Sequence, residues 1–201
     1  MAKVHPNAPS SEPTSPPAPS PDAGGGEAAV LTVWRKSLLF NCSGFTVFDA
    51  KGNLVFRVDN YVSGNKREVL LMDAAGKPLL TIRRKRLSLG EHWMVYQGEE
   101  ARNPRFSAKK RGGFRQHKAL AHVAACGGDG HRALEVEGSY SSRCCAVYDE
   151  RRRPMAEVKR KEAVRGVGFG VDVFRLVVQP GFDPAVAMVI VILLDQMFGS
   201  T

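Results

Sequence analysis

The sequence predicts a mainly β fold, in which about twelve antiparallel strands close into a barrel around one apolar helix near the C-terminus. Two patterns favour this fold class. From residue 30 to residue 178, short apolar or alternating runs are separated by Gly, Asp, Asn and Pro, which is typical of strands joined by tight turns. Residues 185–194 then form an unbroken apolar run. The 201 residues, 43% of them hydrophobic and 24% charged, suffice for one soluble domain of this kind.

The strands follow from the alternation of apolar residues and from the turn residues between the runs. The expected strands lie near Leu31–Trp34, Phe45–Phe48, Leu54–Val58, Val69–Met72, Leu79–Arg83, Trp93–Gln97, Arg105–Lys109, Leu120–Ala124, Ala133–Glu137, Ala146–Tyr148, Met155–Val158 and Val171–Val178. Because the runs are short and are joined by tight turns, they indicate an all-β barrel or sandwich.

A strand–turn–strand unit occurs three times in the chain. Its copies are marked by Asp49, Asp73 and Asp149. Gly52 and Gly76 stand three residues after the first two aspartates, where a turn can need a positive φ angle, whereas the third copy has Arg152 there. Each aspartate can accept hydrogen bonds from the backbone that follows it, so we expect at least three related hairpins. Their unequal spacing argues against a solenoid and favours a barrel.

The last apolar segment is predicted to be a helix. Asp183 suits the N-cap and Pro184 the first helical position, and residues 195–199 close the apolar run 185–194. A strand is the alternative for residues so rich in Val, Ile and Leu, but the length and the capping residues favour a helix. Ten residues span only about 15 Å, half of a bilayer core, and this helix has no polar face. We therefore expect it to pass through the interior of the closed barrel.

Residues 1–29 differ in composition from the rest of the chain. They hold seven of the twelve prolines, together with Ser, Ala and the run Gly24–Gly26. A segment with so few large apolar residues cannot offset its ordering entropy, so we expect it to be disordered. It also has no apolar stretch of the kind that a secretory signal needs. The expected organisation is a tail at 1–29 and one barrel domain at 30–201, in a cytoplasmic protein without a transmembrane segment.

The chain resembles the plant LURP-one-related family, whose fold is that of the tubby C-terminal domain. The resemblance is carried by LTVW at 31–34, GFTVFDAKGNLVFRVDNY at 44–61, LMDAAGKPLLTIRRK at 71–85, EGSY at 137–140 and VIVILLD at 189–195. It implies a twelve-stranded barrel around a central helix. It also implies kinship with phosphoinositide-binding tubby domains and with phospholipid scramblases, and a part in plant defence for some members. It implies no catalytic residues.

The positive charge of the chain, +9 at neutral pH, is concentrated in residues 65–118 and 151–165. The candidate anion-binding residues in these blocks are Arg83, Arg84, Lys85, Arg86, Lys109, Lys110, Arg111, Lys159, Arg160 and Lys161. In the repeat alignment, 83–85 coincides with 159–161, and each triplet ends the second strand of a hairpin. Because side chains alternate along a strand, either Arg84 and Arg160 reach a barrel mouth or the strands end there.

Acidic lipid headgroups are the partner that this charge and the resemblance favour. Arg and Lys hold phosphate oxygens, and each basic residue near acidic lipid contributes about 1 kcal/mol. A solvated basic rim with no partner is one alternative. Nucleic acid is another, because Phe106 lies near Lys109 and Phe114 beside Arg115, as a stacking platform requires. No helix-turn-helix, zinc finger or RNA-recognition motif accompanies these pairs, so nucleic acid is the less favoured partner.

No pattern in the sequence predicts catalysis, a cofactor or a metal site. The four cysteines form no CxxC pair, and His117, His122 and Cys126 offer only three ligands at irregular spacing. We expect a monomeric, non-enzymatic domain that binds or scaffolds at an acidic, phosphoinositide-containing surface, at the plasma membrane or in the nucleus, in defence or stress signalling. The alternative function is a protein-interaction or nuclear regulatory module whose basic rim binds an acidic protein or nucleic acid.

Overall fold

The structure is a computed structural model that describes residues 26–38, 44–63, 66–85, 90–100, 102–111, 119–127, 133–162 and 170–199. Its elements are β1 (Ala29–Trp34), β2 (Gly44–Phe48), β3 (Leu54–Ser63), β4 (Lys66–Asp73), β5 (Pro78–Arg84), β6 (His92–Gln97), β7 (Phe106–Lys110), β8 (Ala119–Ala125), β9 (Ala133–Ser139), β10 (Cys144–Tyr148), β11 (Pro154–Arg160), β12 (Val173–Val178) and α1 (Pro184–Phe198). Residues 1–25 of the tail that we expect to be disordered lie outside this range.

The strands form one closed barrel in which each pairs antiparallel with its neighbours in the chain. The ring is completed by β1 and β12, which pair over six residues from Ala29–Val178 to Trp34–Val173. The predicted fold class is therefore confirmed, and every expected strand is present within the described residues. The differences concern strand ends: β3 continues to Ser63, and β10 begins at Cys144 rather than at Ala146.

The three repeated units are the hairpins β2–β3, β4–β5 and β10–β11, and they share one turn geometry. In each, the pairing register shifts just before the aspartate, and the N–H three residues later donates to the aspartate carbonyl at 3.1, 3.1 and 2.9 Å. The Asp49 and Asp149 carboxylates each accept two backbone N–H groups, and the Asp73 carboxylate accepts one. The prediction of three related hairpins is thus confirmed.

The third turn keeps this geometry without glycine. Gly52 and Gly76 have φ angles of +85° and +88°, and Arg152 takes +62° at the same position. This left-handed conformation is costly for a residue with a Cβ atom. The Arg152 guanidinium compensates by donating to both oxygens of Glu137, at 2.9 and 3.1 Å, and by lying 4.4 Å from the centre of the Tyr148 ring.

Helix α1 runs through the interior of the barrel. Asp183 is the N-cap and accepts the Ala185 N–H at 2.8 Å, and Pro184 occupies the first helical turn. Every residue from Val186 to Leu194 is buried, because apolar side chains of the surrounding strands cover the helix on all sides. The predicted central helix is confirmed, and it continues to Phe198. Among the described residues, no helix combines the length and apolar character that crossing a membrane requires.

Truncation of a helix side chain at the centre of the barrel should destabilise the fold strongly. Ile192 is 0% exposed, so Ile192→Ala leaves a cavity that the closed sheet cannot collapse around. We expect the free energy of unfolding in urea to fall by about 2–5 kcal/mol. Gln196→Ala, at an exposed position of the same helix, is the control and should change it by less than about 0.5 kcal/mol. Equal losses in the two variants would contradict the central position of α1.

The ionised Asp49 carboxylate should stabilise the fold, and this stabilisation should be lost at acid pH. The Asn53 side-chain amide, together with the Asn53 backbone N–H, holds the pKa of the Asp49 carboxyl below its ordinary value. A carboxyl whose folded-state pKa is lowered stabilises the fold above the unfolded-state value, and this stabilisation is lost as the pH falls through the folded-state pKa. Below about pH 4, the unfolding free energy of the wild type should therefore fall more steeply than that of Asp49→Asn. If the unfolding free energies of the wild type and Asp49→Asn change in parallel from neutral to acid pH, the Asp49 carboxylate does not stabilise the fold in this way.

Candidate functional site

The two ends of the barrel differ in their chemistry. At one end, β5, β7 and β11 terminate and α1 ends; we call it the basic end. At the other, which we call the Asp-turn end, lie the turns 49–53, 73–77 and 149–153 and the start of α1. The antiparallel order of the strands places every basic candidate that the structure describes at the basic end. Arg86 lies outside the described residues.

The basic candidates fall into two clusters on opposite sides of the rim. The β5–β7 cluster contains Arg83, Arg84, Lys85, Lys109, Lys110 and Arg111, and the β11 cluster contains Lys159, Arg160 and Lys161. Only β6 separates β5 from β7, whereas β11 stands six strands from β5 in a ring of twelve. With neighbouring strands about 4.8 Å apart, the two clusters are roughly 20 Å from each other. One phosphate group therefore cannot contact both.

Arg84 and Lys110 point into the barrel mouth and close it over the end of the helix. The Glu91 carboxylate pairs with both of them, at 3.4 Å to Arg84 and 2.9 Å to Lys110. Lys110 Nζ also donates to the carbonyl oxygen of Met197 at 2.7 Å, and so caps a carbonyl that the helix itself leaves without a partner. Arg84 lies 5.7 Å from the centre of the buried Trp93 ring. These two candidates are engaged within the domain.

Arg160 follows the same pattern on the opposite wall. Its Nε donates to the carbonyl oxygen of Ser142 in the β9–β10 turn at 3.1 Å. Both alternatives of the sequence analysis hold at once, because β5 ends at Arg84, β11 ends at Arg160, and both side chains reach the mouth.

Other candidates face outward, as alternation along the strands requires. Arg83 is held by Glu68 at 2.7 Å, and Lys159 pairs with Glu157 on its own strand. Lys85, Lys109 and Arg111 are exposed, and within the described residues their side chains have no carboxylate partner. Within the β5–β7 cluster, these three side chains are the ones available to an external anion.

Polar groups at the mouth that sequence reasoning did not identify anchor the end of the helix. Asp195 pairs with Arg35 at 3.0 Å and accepts the Tyr140 hydroxyl at 3.1 Å. Burial, followed by the Asp195 charge, raises the pKa of Tyr140 well above its ordinary value. Arg143 is buried between the rings of Tyr140 and Phe174, at 4.2 and 4.5 Å from their centres. No spacing in the sequence links these residues, because they meet only when the barrel closes.

His92 was not among the candidate binding residues selected from the sequence. The Lys85 N–H donates to the His92 carbonyl oxygen at 2.8 Å, and His92 stands directly opposite Lys109 in the β6–β7 ladder. The histidine is therefore flanked by two lysines that are 7 and 17 positions away from it in the chain. The register of the hairpins would have been the only signal for this arrangement, and strand ends are the part of a sequence pattern that is least defined.

The Asp-turn end carries a cavity of about 800 Å³. It lies between the Asp149 turn, the connection from β12 to α1 and the first turn of the helix, and none of the basic candidates lines it. Asp149 is paired with Arg153 at 2.7 Å, and Asp183 caps the helix, so these carboxylates are engaged within the domain. In the described parts of the chain, no three His, Cys, Asp or Glu side chains are grouped as a metal site.

A closed ring of twelve antiparallel strands around an apolar helix defines the tubby-like class of domains. A solved X-ray structure of a protein from Arabidopsis thaliana superposes on this chain with a TM-score of 0.64 at 26% identity, covering 86% of this chain and 92% of that one. The family model described as LURP-one-related matches residues 29–195. The chain belongs to the LURP-one-related family.

Two relatives from Arabidopsis thaliana show how far the similarity extends. Protein LURP-one-related 8 is 51% identical, and the match covers 100% of both chains. Protein LURP-one-related 5 is 45% identical over 87% of this chain and 85% of its own length. The family resemblance expected from the sequence motifs is confirmed, and it extends across the whole barrel.

Substitution of the two neighbouring lysines of β7 should distinguish a charge that stabilises the fold, Lys110, from a charge on the surface, Lys109. Lys110→Met removes the pairing with Glu91, the cap on Met197 and the contact with the Phe198 ring at 4.7 Å. We expect it to lower the free energy of unfolding by about 1–2 kcal/mol. Lys109→Met makes the same chemical change at an exposed site and should stay within about 0.5 kcal/mol of the wild type. Equal unfolding midpoints in urea for both variants would show that Lys110 does not hold the helix end.

Proposed function

We propose that this domain is a non-enzymatic module that docks on acidic, phosphoinositide-containing membrane surfaces through its basic end. Lys85, Lys109 and Arg111 provide the principal contacts, with the β11 cluster as a second point of attachment. Forked guanidinium groups and lysine ammonium groups both bind phosphate oxygens. The domain attaches peripherally, without inserting a helix.

The position of the two clusters is the observation that supports a surface rather than a small anion. They lie at one end of the barrel but on opposite sides of its rim. A plane of headgroups can contact both at the same time, and juxtamembrane basic residues contribute about 1 kcal/mol each near acidic lipid.

The titratable groups with large pKa shifts support the non-enzymatic part of the proposal. Burial raises the pKa of the Cys145 thiol to about 12, which keeps it protonated and unreactive at neutral pH. Tyr140, whose pKa is also raised, is engaged with Asp195 in anchoring the helix. In both cases the shift accompanies packing in the barrel rather than a nucleophile with a base beside it.

The cellular setting is part of the proposal. A role in plant defence or stress signalling, at the plasma membrane or in the nucleus, is supported by the family resemblance. Tagged protein in plant cells should concentrate at the membrane, and the charge-reversed variant described next should leave it.

A paired charge reversal tests the function. Lys85→Glu, Lys109→Glu and Arg111→Glu together should weaken sedimentation with vesicles containing acidic phosphoinositides about a hundredfold, given about 1 kcal/mol for each residue. The control is Lys51→Glu, Lys77→Glu and Arg151→Glu, which changes the same net charge at exposed positions of the Asp-turn end. The control should bind nearly as tightly as the wild type.

Three results would overturn this function. An equal loss of vesicle affinity in both triple variants would indicate attraction by net charge alone. If the wild type binds no vesicles at any salt concentration, the membrane is not the partner. Binding of nucleic acid or an acidic protein with the same dependence on the β5–β7 cluster, and tighter than that of vesicles, would favour a nuclear or protein-interaction module instead.

A further inference from the structure

Four side chains form a row across neighbouring strands at the basic end. Lys85, just after β5, stands opposite His92 of β6; His92 stands opposite Lys109 of β7; and Lys109 stands opposite His122 of β8. Directly opposed residues of antiparallel strands share a face of the sheet. We call these four residues the lysine–histidine row.

The row lies on the outer wall of the barrel. Trp93, Ala108 and Ala121, which are chain neighbours of the three strand residues of the row, are 3%, 0% and 1% exposed and belong to the core. Because side chains alternate along a strand, the residues next to them point outward. Lys85 and Lys109 are exposed, whereas His92 is half-buried between them.

The spacing of the two lysines suits one phosphate group. They are two strand spacings apart, which is about 10 Å between backbones. Two ammonium groups that each donate to an oxygen of one phosphate stand several ångströms apart, and the flexible four-carbon stems of lysine can bring them to that separation. The group held in this way lies above His92.

One nitrogen of the His92 imidazole has no hydrogen-bond partner in the part of the chain that the structure describes. This atom is Nε2, which is buried. Partial burial lowers the pKa of His92 first, and the charges of Lys109 and Lys85 lower it further. An anion seated between the lysines offsets both of their charges, so it favours the protonated imidazole.

The other charges around His92 do not replace such an anion. Just before β6, Glu91 is engaged at the mouth by Arg84 and Lys110. On β5, the nearest outward charge below Lys85 is Arg83, which is held by a carboxylate of β4. On β7, Lys109 faces it directly.

We propose that Lys85, His92 and Lys109 bind one phosphate monoester of an acidic lipid, and that protonation of His92 strengthens this binding as the pH falls. The proposal rests on the proposed function, because it identifies a headgroup contact at the same end of the barrel. It adds a regulation: the domain binds its membrane more tightly in a mildly acidic cytoplasm.

The test measures binding to phosphatidylcholine vesicles that contain phosphatidylinositol 4-phosphate, at about pH 7.5 and about pH 5.5. The monoester itself gains a proton in this range, so the decisive quantity is the difference between wild type and His92→Gln. We expect the wild type to gain about three- to tenfold in affinity over His92→Gln at the lower pH, and little at the higher pH. His122→Gln, the matched histidine of the same row, should behave like the wild type.

Two further binding measurements identify the ligand. Vesicles with phosphatidylserine at matched surface charge carry no monoester, and on them His92→Gln should equal the wild type at both pH values. Free inositol 1,4-bisphosphate should compete with the monoester vesicles only weakly if the bilayer surface provides the second attachment. If the free inositol phosphate competes fully at concentrations comparable to those of the lipid, the bound monoester is not specifically that of a membrane lipid, and the proposal is refuted.

Failure of the proposed pH dependence through His92 can be distinguished from failure of the docking function. If His92→Gln keeps the pH dependence of the wild type, or if Lys85→Gln and Lys109→Gln bind the monoester vesicles as well as the wild type, this site is refuted. The docking function is tested by the paired charge reversals, whose contrast does not depend on His92.

Discussion

An α-helix with apolar residues on every side is stable in water only where all of its faces are covered. In this domain the cover is a sheet of twelve strands that closes on itself through β1 and β12. Nine consecutive residues, from Val186 to Leu194, are buried as a result. The closure also determines the two faces of every strand, because alternate side chains must meet the helix. Which basic residues are available to a partner follows from that constraint.

The ends of the buried helix impose a second requirement. Its first N–H groups and last carbonyls must find partners at the two mouths of the barrel. Asp183 serves the first end, and Lys110 and Gly199 serve the second, with Gly199 donating to the Asp195 carbonyl at 2.8 Å. Part of the charge that looks like a binding site in the sequence is therefore used to close the mouth. The remainder lies on the outer wall, where it can contact a membrane while the barrel stays intact.

The sequence was most informative where one local cause determines the structure. Asp followed three residues later by Gly defines a turn, and the unbroken apolar run with Asp183-Pro184 before it defines a buried helix, so the fold class and the strands could be predicted. Which charged side chains stabilise the mouth of the barrel and which face outward could not be predicted. Arg84 and Lys85 are adjacent in the chain but face opposite sides of the sheet. His92 stands beside Lys109 only because of the ladder register, and Asp195 meets Tyr140 across 55 residues. Such contacts depend on closure of the whole ring and leave no periodic signal.

The central claim, that the basic end meets the membrane, can be tested most directly by acetylating lysines in the presence and absence of phosphoinositide vesicles and mapping the sites by mass spectrometry. Lys85 and Lys109 report on the basic end, and Lys51 and Lys77, also exposed, report on the Asp-turn end. We expect vesicles to slow the modification of Lys85 and Lys109 and to leave the modification rates of Lys51 and Lys77 unchanged. Slower modification of Lys51 and Lys77, or equal slowing at both ends, would contradict it.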